Sequence, residues 1–224
     1  MRQREQRDFG AIEIRAVEEG GARHIRGIGS SFNTEYEIGE MFRETFREGA
    51  FDKTLAESDV AVLWQHQDGM VLGSTRSGTA KVWVDERGLQ YDVEVPDTTW
   101  GNDAFVSVSR GDVWGSSIGF IPVKERWTEE RDEDVLPLRE ILEVRLLETS
   151  PVTWPANPAT SVMAEARAAL EKSGLSPATV QALIERGVKG ELATTDKPGV
   201  AHLAAGAPSR RNLDIYLSVI RGTR

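Results

Sequence analysis

A strict alternation of apolar and polar side chains is the feature that most constrains the fold of this chain. In residues 89–95 the odd positions hold Leu, Tyr, Val and Val, and the even positions hold Gln, Asp and Glu. Such a period of two is typical of a half-buried β-strand. A second strand-like segment, residues 81–84, lies just upstream, and the intervening residues 85–88, Asp-Glu-Arg-Gly, include a glycine for a turn. The sequence therefore predicts a β-hairpin over 81–95.

Further strand-like segments surround this hairpin. Residues 12–16 alternate, and residues 60–64 form the continuous apolar run of a buried strand. In residues 141–147 the apolar side chains at the even positions share one face, and residue 148 continues their parity. Short strands with glycine-rich turns predict a mainly β fold of the α+β type, with a closed or partly open β-barrel core and peripheral helices.

The composition changes after Pro158. Apolar residues follow helical spacing from residue 162, and Ser176 before Pro177 is typical of a helix start. Residues 189–208 are rich in Gly, Ala, Thr and Pro, which indicates a linker, and a last amphipathic helix follows at 213–220. We therefore expect a β-barrel domain at 1–160 and a helical, partly flexible extension at 161–224.

The composition excludes several classes of protein. The chain has 224 residues and a formal net charge of −9, which argues against a dedicated nucleic-acid binder. It has no cysteine and no apolar run long enough to span a membrane. Because no apolar run follows the basic residues 1–7, these residues are not expected to act as a secretory signal. The basic residues at its two ends, including Arg4 and Arg7, are expected to be solvated. The three histidines are scattered, and the glycines of 27–32 do not form a dinucleotide loop, so neither a metal nor a cofactor is expected.

Three polar groups lie at or within strand-like segments: in chain order, the imidazole of His66, the hydroxyl of Ser117 and the carboxylate of Glu148. These are the three groups of a serine hydrolase, in an order that differs from the chymotrypsin, subtilisin and α/β-hydrolase orders. Each also has a simpler interpretation. His66 fits a structural histidine, and Ser117 fits a strand that needs small residues at a close contact. By its parity the Glu148 carboxylate should point toward the packed side and need a partner, either a histidine N–H or an arginine.

The chain resembles the prohead (procapsid maturation) serine proteases of tailed bacteriophages, a family related in fold to the herpesvirus assemblins. The resemblance covers about residues 24–160. The matching segments occur in the order of the family, and Ser-Ile-Gly-Phe and Pro-Ala-Asn-Pro are the most specific of them. They comprise residues 27–32, 48–51 with 54–55, Leu63-Trp64-Gln65-His66, the 85–89 turn, Ser117-Ile118-Gly119-Phe120, Glu148-Thr149-Ser150-Pro151 and Pro155-Ala156-Asn157-Pro158.

The resemblance implies a serine endopeptidase. Ser117 would be the nucleophile, with Ser116 as the alternative, His66 the general base and Glu148 the group that orients the imidazole. The substrates would be the scaffolding segment of the major capsid protein and the chain itself, within a procapsid in the host bacterial cytoplasm. Self-association is allowed, and no membrane, specific nucleic acid or cofactor is implied. The alternative functions are a non-enzymatic capsid-assembly or scaffolding protein on the same fold and a serine esterase or amidase.

The small residues of the linker suggest a site of self-cleavage. A flexible segment at 189–208 joins the working domain to an amphipathic helix. We therefore predict that the chain cleaves itself within 189–208 and that the last helix anchors the precursor during assembly.

Overall fold

The computed structural model of the chain describes residues 4–9, 13–128, 135–153 and 160–193. The Pro155 to Pro158 motif, most of the predicted linker and the predicted last helix lie outside these ranges. The elements, in chain order, are β1 (Glu5–Phe9), β2 (Ile14–Glu19), β3 (Ala22–Ser31), β4 (Tyr36–Ile38), β5 (Phe42–Phe46), α1 (Asp52–Glu57), β6 (Ala61–Trp64), β7 (Gln67–Ser74), β8 (Ala80–Asp85), β9 (Gly88–Glu94), α2 (Thr99–Arg110), β10 (Gly115–Thr128), β11 (Leu138–Val152), α3 (Thr160–Leu170) and α4 (Pro177–Ala193).

The predicted hairpin is confirmed. Strands β8 and β9 pair in antiparallel fashion from Ala80 opposite Val93 to Asp85 opposite Gly88. Gly88 has a φ of +138° at the start of β9, a backbone conformation that suits glycine. Because Leu89, Tyr91 and Val93 are fully buried, the alternation in the sequence did mark one core-facing side of this strand.

The strands form two sheets. One sheet has seven strands in the order β1-β10-β11-β5-β4, with β6 paired to β11 and β7 paired to β6. The other has four strands in the order β2-β3-β9-β8. The expectation of a mainly β fold is confirmed, but that of a closed barrel is wrong, because the pairing among the described strands gives two separate mixed or antiparallel sheets. Strand β11 pairs with β5 along one part of its length and with β6 along another, so the seven-stranded sheet branches at this strand.

The main hydrophobic core lies between these sheets. Apolar residues of β9, β10 and β11 pack there with residues of the segment around α1. Its most deeply buried residues, at most 1% exposed, include Phe46, Phe51, Leu89, Ile118 and Phe120. The inner face of β10 is therefore fixed by Ile118 and Phe120.

Helices occur mostly where they were predicted. Helix α4 begins at Pro177, as expected, with the Ser176 hydroxyl accepting from the Thr179 N–H. Helix α2 was not expected from the sequence. Its signals were present, because Thr98 caps its N-terminus by accepting from the Gly101 N–H and Gly111 ends it with a φ of +76°.

The expectation that the N-terminal arginines are solvated is wrong for Arg7. Strand β1 pairs with the edge of β10, and Arg7 is only 4% exposed. Its guanidinium donates to Glu44 at 2.6 Å and to Glu5 at 2.7 Å. Arg139, also buried, donates to the same two carboxylates. A network of paired buried charges therefore attaches β1 to the sheet, since an unpaired charge there would be costly.

Candidate active site

The two adjacent serines of β10 face opposite sides of the sheet. Ser116 points to the core side, where its Oγ lies 3.0 Å from the hydroxyl of Tyr91. Ser117 points to the other side, because successive residues of a strand alternate. Both are 0% exposed. The alternation thus places Ser117, and not Ser116, on the face away from the hydrophobic core.

An extra residue in β11 places Glu148 on the same face as Ser117. Gly119 of β10 lies opposite Glu148, whereas the next residue, Phe120, lies opposite Leu146. Leu147 is therefore a β-bulge, and the side chains on its two sides project to opposite faces. The prediction that Glu148 shares the face of Leu146 is wrong for this reason.

Glu148 is nevertheless buried, at 2% exposure, and it did need partners. Its Oε1 accepts hydrogen bonds from His66 Nδ1 at 2.8 Å and from Arg4 Nη2 at 3.0 Å. Its Oε2 accepts from the Ser150 hydroxyl at 2.6 Å. Burial alone would raise the pKa of Glu148, but His66, Ser150 and Arg4 outweigh it and lower the pKa below its ordinary value. The histidine and the arginine that the sequence offered as alternatives are both present.

His66 reaches this carboxylate from a tight turn between β6 and β7. Trp64 pairs with Gln67, and the two residues between them, Gln65 and His66, have φ values of +53° and +59°. Two successive positive φ values are typical of a type I′ hairpin turn, which usually takes Asn-Gly. Contacts to β11 hold the turn in place: Gln65 N–H donates to the Pro151 carbonyl at 3.2 Å and His66 N–H to the Ser150 hydroxyl at 3.3 Å. A strained backbone supported by its surroundings is common at functional sites.

The Nδ1–H of His66 is fixed by an acceptor, since Glu148 can only accept when it is ionised. The opposite ring nitrogen, Nε2, lies 3.4 Å from Oδ1 of Asp8 in β1. Burial lowers the pKa of His66, but hydrogen bonds and charge from Asp8 and Glu148 outweigh it and raise the pKa to about 9. In this arrangement the imidazole is mostly protonated at neutral pH.

The Ser117 side chain is hydrogen-bonded to strand β1, the strand that also carries Asp8. Its hydroxyl donates to the backbone carbonyl of Arg7 at 3.1 Å, and Asp8 is its partner across the pairing of β1 and β10. Among the described residues, no hydrogen bond joins the Ser117 hydroxyl to His66. The structure therefore brings His66 and Glu148 together on the face that carries Ser117, with β1 bound to both Ser117 and His66.

Sequence reasoning missed three residues of this site: Asp8, Arg4 and Ser150. The role of Ser150 could have been predicted from the sequence, because Ser150 lies two positions after Glu148 on the same strand and its side chain therefore shares the face of Glu148. Asp8 and Arg4 carried no comparable signal, because their place depends on the pairing of β1 with a strand about a hundred residues away along the chain.

Other candidate sites are weaker. His24 Nδ1 bonds Asp92 at 2.8 Å on the four-stranded sheet, as a structural histidine does, and His202 lies outside the described residues. In the described part of the chain, no group of three or more His, Asp or Glu side chains could hold a metal ion. No helix within these ranges is long and apolar enough to span a membrane.

Comparison with known proteins identifies the family of the chain. The family model of the caudovirus prohead serine proteases matches residues 10–173, which include Ser117, His66 and Glu148. The chain belongs to the prohead serine protease family. Among solved structures, it is similar to the capsid assembly protease gp21 of bacteriophage T4. That similarity has a TM-score of 0.43 and 12% identity, over 68% of this chain and 98% of the T4 chain. No curated protein sequence matches.

Proposed function

We propose that this prohead protease cleaves peptide bonds with Ser117 as nucleophile, His66 as general base and Glu148 as the residue that orients the imidazole. The observation that carries the proposal is the 2.8 Å hydrogen bond between His66 Nδ1 and Glu148. It leaves Nε2 as the ring nitrogen available for the serine proton, on the face to which Ser117 points. An acid, a histidine and a serine in this arrangement are the recurring elements of acyl-enzyme proteolysis.

The reaction proceeds in two stages. In the first, Nε2 of neutral His66 removes the proton of the Ser117 hydroxyl as its oxygen attacks the scissile carbonyl carbon. The imidazolium, stabilised by Glu148, then protonates the leaving amine, and an ester to Ser117 remains. In the second, a water molecule gives a proton to His66 and attacks the ester, which releases the acid and restores the serine.

The proposed substrates are the scaffolding segment of the major capsid protein and the protease itself, inside the procapsid in the bacterial cytoplasm. Family membership supports this assignment. The predicted self-cleavage within 189–208 belongs to the same proposal. Intact mass of active protein should reveal loss of the C-terminal segment, and an active protein that always keeps its full mass would contradict that part.

The test is co-expression with the major capsid protein from the same genome. Wild type should shorten the capsid protein, and Ser117→Ala should reduce the rate about 10⁴-fold or more. Ser116→Ala is the matched control, because it removes the neighbouring hydroxyl from the opposite face. If Ser117→Ala cleaves as well as wild type, the assignment fails, and if a folded wild type cleaves nothing, a scaffolding role replaces it. Hydrolysis of small esters alone would favour an esterase.

A further inference from the structure

Three consecutive polar residues of β11 are buried at the site. Glu148 is 2% exposed, and Thr149 and Ser150 are 0% exposed. Polar groups withdrawn from water in this way are costly unless they are hydrogen-bonded. The Thr149 hydroxyl donates to the backbone carbonyl of Ser117 at 3.1 Å, and its side chain projects to the opposite face from its two neighbours. Glu148 and Ser150 therefore share one face, and Ser150 is the residue to which the proposed mechanism gives no part.

Ser150 is also the neighbour of the proposed nucleophile across the two strands. In the antiparallel pairing of β10 with β11, Ser117 lies opposite Ser150 and Gly119 lies opposite Glu148. Directly opposite residues of such a pair have Cβ atoms about 4.5–5.5 Å apart. Because residue 119 has no side chain, the carboxylate of Glu148 fills the space beside it. Ser150 thus adjoins the acid along one strand and the serine across two.

The Ser150 hydroxyl has a single proton, and its direction is fixed. Its Oγ lies 2.6 Å from Oε2 of Glu148. An ionised carboxylate can only accept, so the proton of Ser150 points to Glu148. Hydrogen bonds of this charge-assisted O–H···O⁻ kind are about 2.5–2.7 Å long and are stronger than neutral ones. The contact between Ser150 and Glu148 is therefore a strong hydrogen bond with a defined donor.

The two oxygens of the Glu148 carboxylate have different partners. Oε1 accepts from His66 Nδ1 at 2.8 Å and from Arg4 Nη2 at 3.0 Å. Within the described part of the chain, only Ser150 donates to Oε2. The last torsion of a glutamate side chain has broad minima, so hydrogen bonds to one oxygen do not fix the plane of the carboxylate. The bond from Ser150 to the second oxygen does fix this plane, and it holds Oε1 toward the imidazole.

The backbone of His66 holds the Ser150 hydroxyl in place. The His66 N–H donates to Oγ of Ser150 at 3.3 Å, which uses a lone pair that the bond to Glu148 leaves free. The turn itself has a separate attachment at Gln65. The side-chain amide of Gln65 donates to the Thr153 hydroxyl at 2.7 Å and accepts from the Thr153 N–H at 3.2 Å. Removal of the Ser150 hydroxyl would therefore release the carboxylate and leave the turn attached.

We propose that Ser150 is a positioning residue of the site, whose hydroxyl orients the carboxylate of Glu148 toward His66. The proposal rests on the proposed function for the roles of His66 and Glu148. It adds a fourth residue, which acts through the acid, transfers no proton and does not contact the substrate.

The first test compares Ser150→Ala with Ser116→Ala in the full chain. Each variant loses one buried serine hydroxyl that has a side-chain hydrogen-bond partner, on neighbouring strands. Initial rates of cleavage of the purified major capsid protein give kcat and KM. We expect Ser150→Ala to lower kcat about 10- to 10²-fold with little change in KM, because a small misplacement of a catalytic group has such an effect. Ser116→Ala should keep kcat within about threefold of wild type.

The second test asks whether Ser150 acts through Glu148. In a Glu148→Gln background, Ser150→Ala should lower kcat by less than about threefold, since the carboxylate that it orients is already absent. A merely structural serine would cost the same factor in both backgrounds. Equal factors would therefore overturn the proposal, and so would a Ser150→Ala variant with the kcat of wild type.

The third test follows the pKa of His66 by NMR in a Ser117→Ala background. The charge and hydrogen bond of Glu148 contribute to raising this pKa. When Ser150→Ala lets the carboxylate turn away, the pKa of His66 should fall. A carboxylate that stayed in place without its donor would be more basic and would raise the pKa of His66. An unchanged or raised pKa therefore contradicts the proposal.

Two further results are distinguished by the same variants. If Ser150→Ala does not fold, Ser150→Cys replaces it, because a thiol is a weaker donor, and the same changes should appear to a smaller extent. If wild type cleaves no capsid protein, or if Ser117→Ala cleaves as wild type does, the proposed function fails. The titration of His66 does not depend on cleavage, and it then decides alone whether Ser150 orients Glu148.

Discussion

Ser116 and Ser117 are adjacent in the chain but have partners on opposite sides of one sheet: Tyr91 in the core for Ser116 and the carbonyl of Arg7 in β1 for Ser117. The different partners identify Ser116 as a structural serine and leave Ser117 as the proposed nucleophile, independently of any sequence motif.

Ser116→Ala should destabilise the fold and spare activity. The Tyr91 hydroxyl, fully buried, would lose its hydrogen-bond partner at a cost of about 1–3 kcal/mol. Urea unfolding measures this loss. In the double variant with Tyr91→Phe most of the cost should disappear, because neither hydroxyl is left unpaired. A double variant as unstable as the sum of the single ones would show that the two hydroxyls do not interact.

Glu148→Gln should lower the cleavage rate about 10²- to 10⁴-fold, less than Ser117→Ala, because the amide cannot stabilise the imidazolium as a carboxylate does. The pKa of His66, followed by NMR in a Ser117→Ala background, should fall, since Glu148 contributes to raising it. Glu143→Gln is the control on the same strand, where the carboxylate pairs with the exposed Lys53 and Lys124 and not with His66. An unchanged His66 pKa in Glu148→Gln would contradict the role of Glu148.

Gly119→Ala should resemble Glu148→Gln although it removes no reactive group. A methyl group at residue 119 would overlap Oε1 of Glu148 and crowd Arg4, so the carboxylate must move away from His66. Cleavage rates and the pKa of His66 should both fall. Gly69→Ala, in β7, is the matched control, because a methyl group there meets no atom within 4 Å. Equal activity of the two variants would mean that Glu148 can shift without consequence.

Cleavage should increase with pH until about pH 9, because His66 acts as a base only when neutral and its pKa is raised to about 9. Stability should follow the opposite course. A raised folded-state pKa contributes stability that is fully present below the ordinary value of 6.5 and is lost as the pH rises through about 9. Initial rates and urea unfolding of Ser117→Ala, from about pH 6 to about pH 10, measure the two effects.

Asp8→Asn should move the activity profile to lower pH, because it removes the carboxylate beside Nε2. Gln6→Ala, on the same face of β1, serves as the control. A profile that does not move in Asp8→Asn would show that the Asp8 carboxylate does not act on His66.

Local patterns in the sequence predicted local structure well and long-range placement poorly. The alternation in β9 identified a hairpin and its buried face because neighbouring residues alone determine it. Strand β1, with the sequence Glu-Gln-Arg-Asp-Phe, has the composition of a solvated tail. Only pairing with β10 and the partners of Arg7 make it a strand, and no local pattern encodes these contacts. The residues proposed for catalysis were identified from the resemblance of their motifs to a known family. The positions of Asp8 and Arg4 beside them became evident only from the three-dimensional structure.

The extra residue at Leu147 has a consequence for how this strand can change over evolution. In a strand without the bulge, the side chains of Leu146 and Glu148 would project from the same face. Either Leu146 would then leave the hydrophobic core, or the carboxylate of Glu148 would no longer reach His66. The face from which the Glu148 carboxylate projects therefore depends on the number of residues in β11 at the bulge, and less on which side chain residue 147 carries. Replacement of Leu147 is compatible with function, whereas removal of this single residue would turn the acid inward and leave the histidine without it.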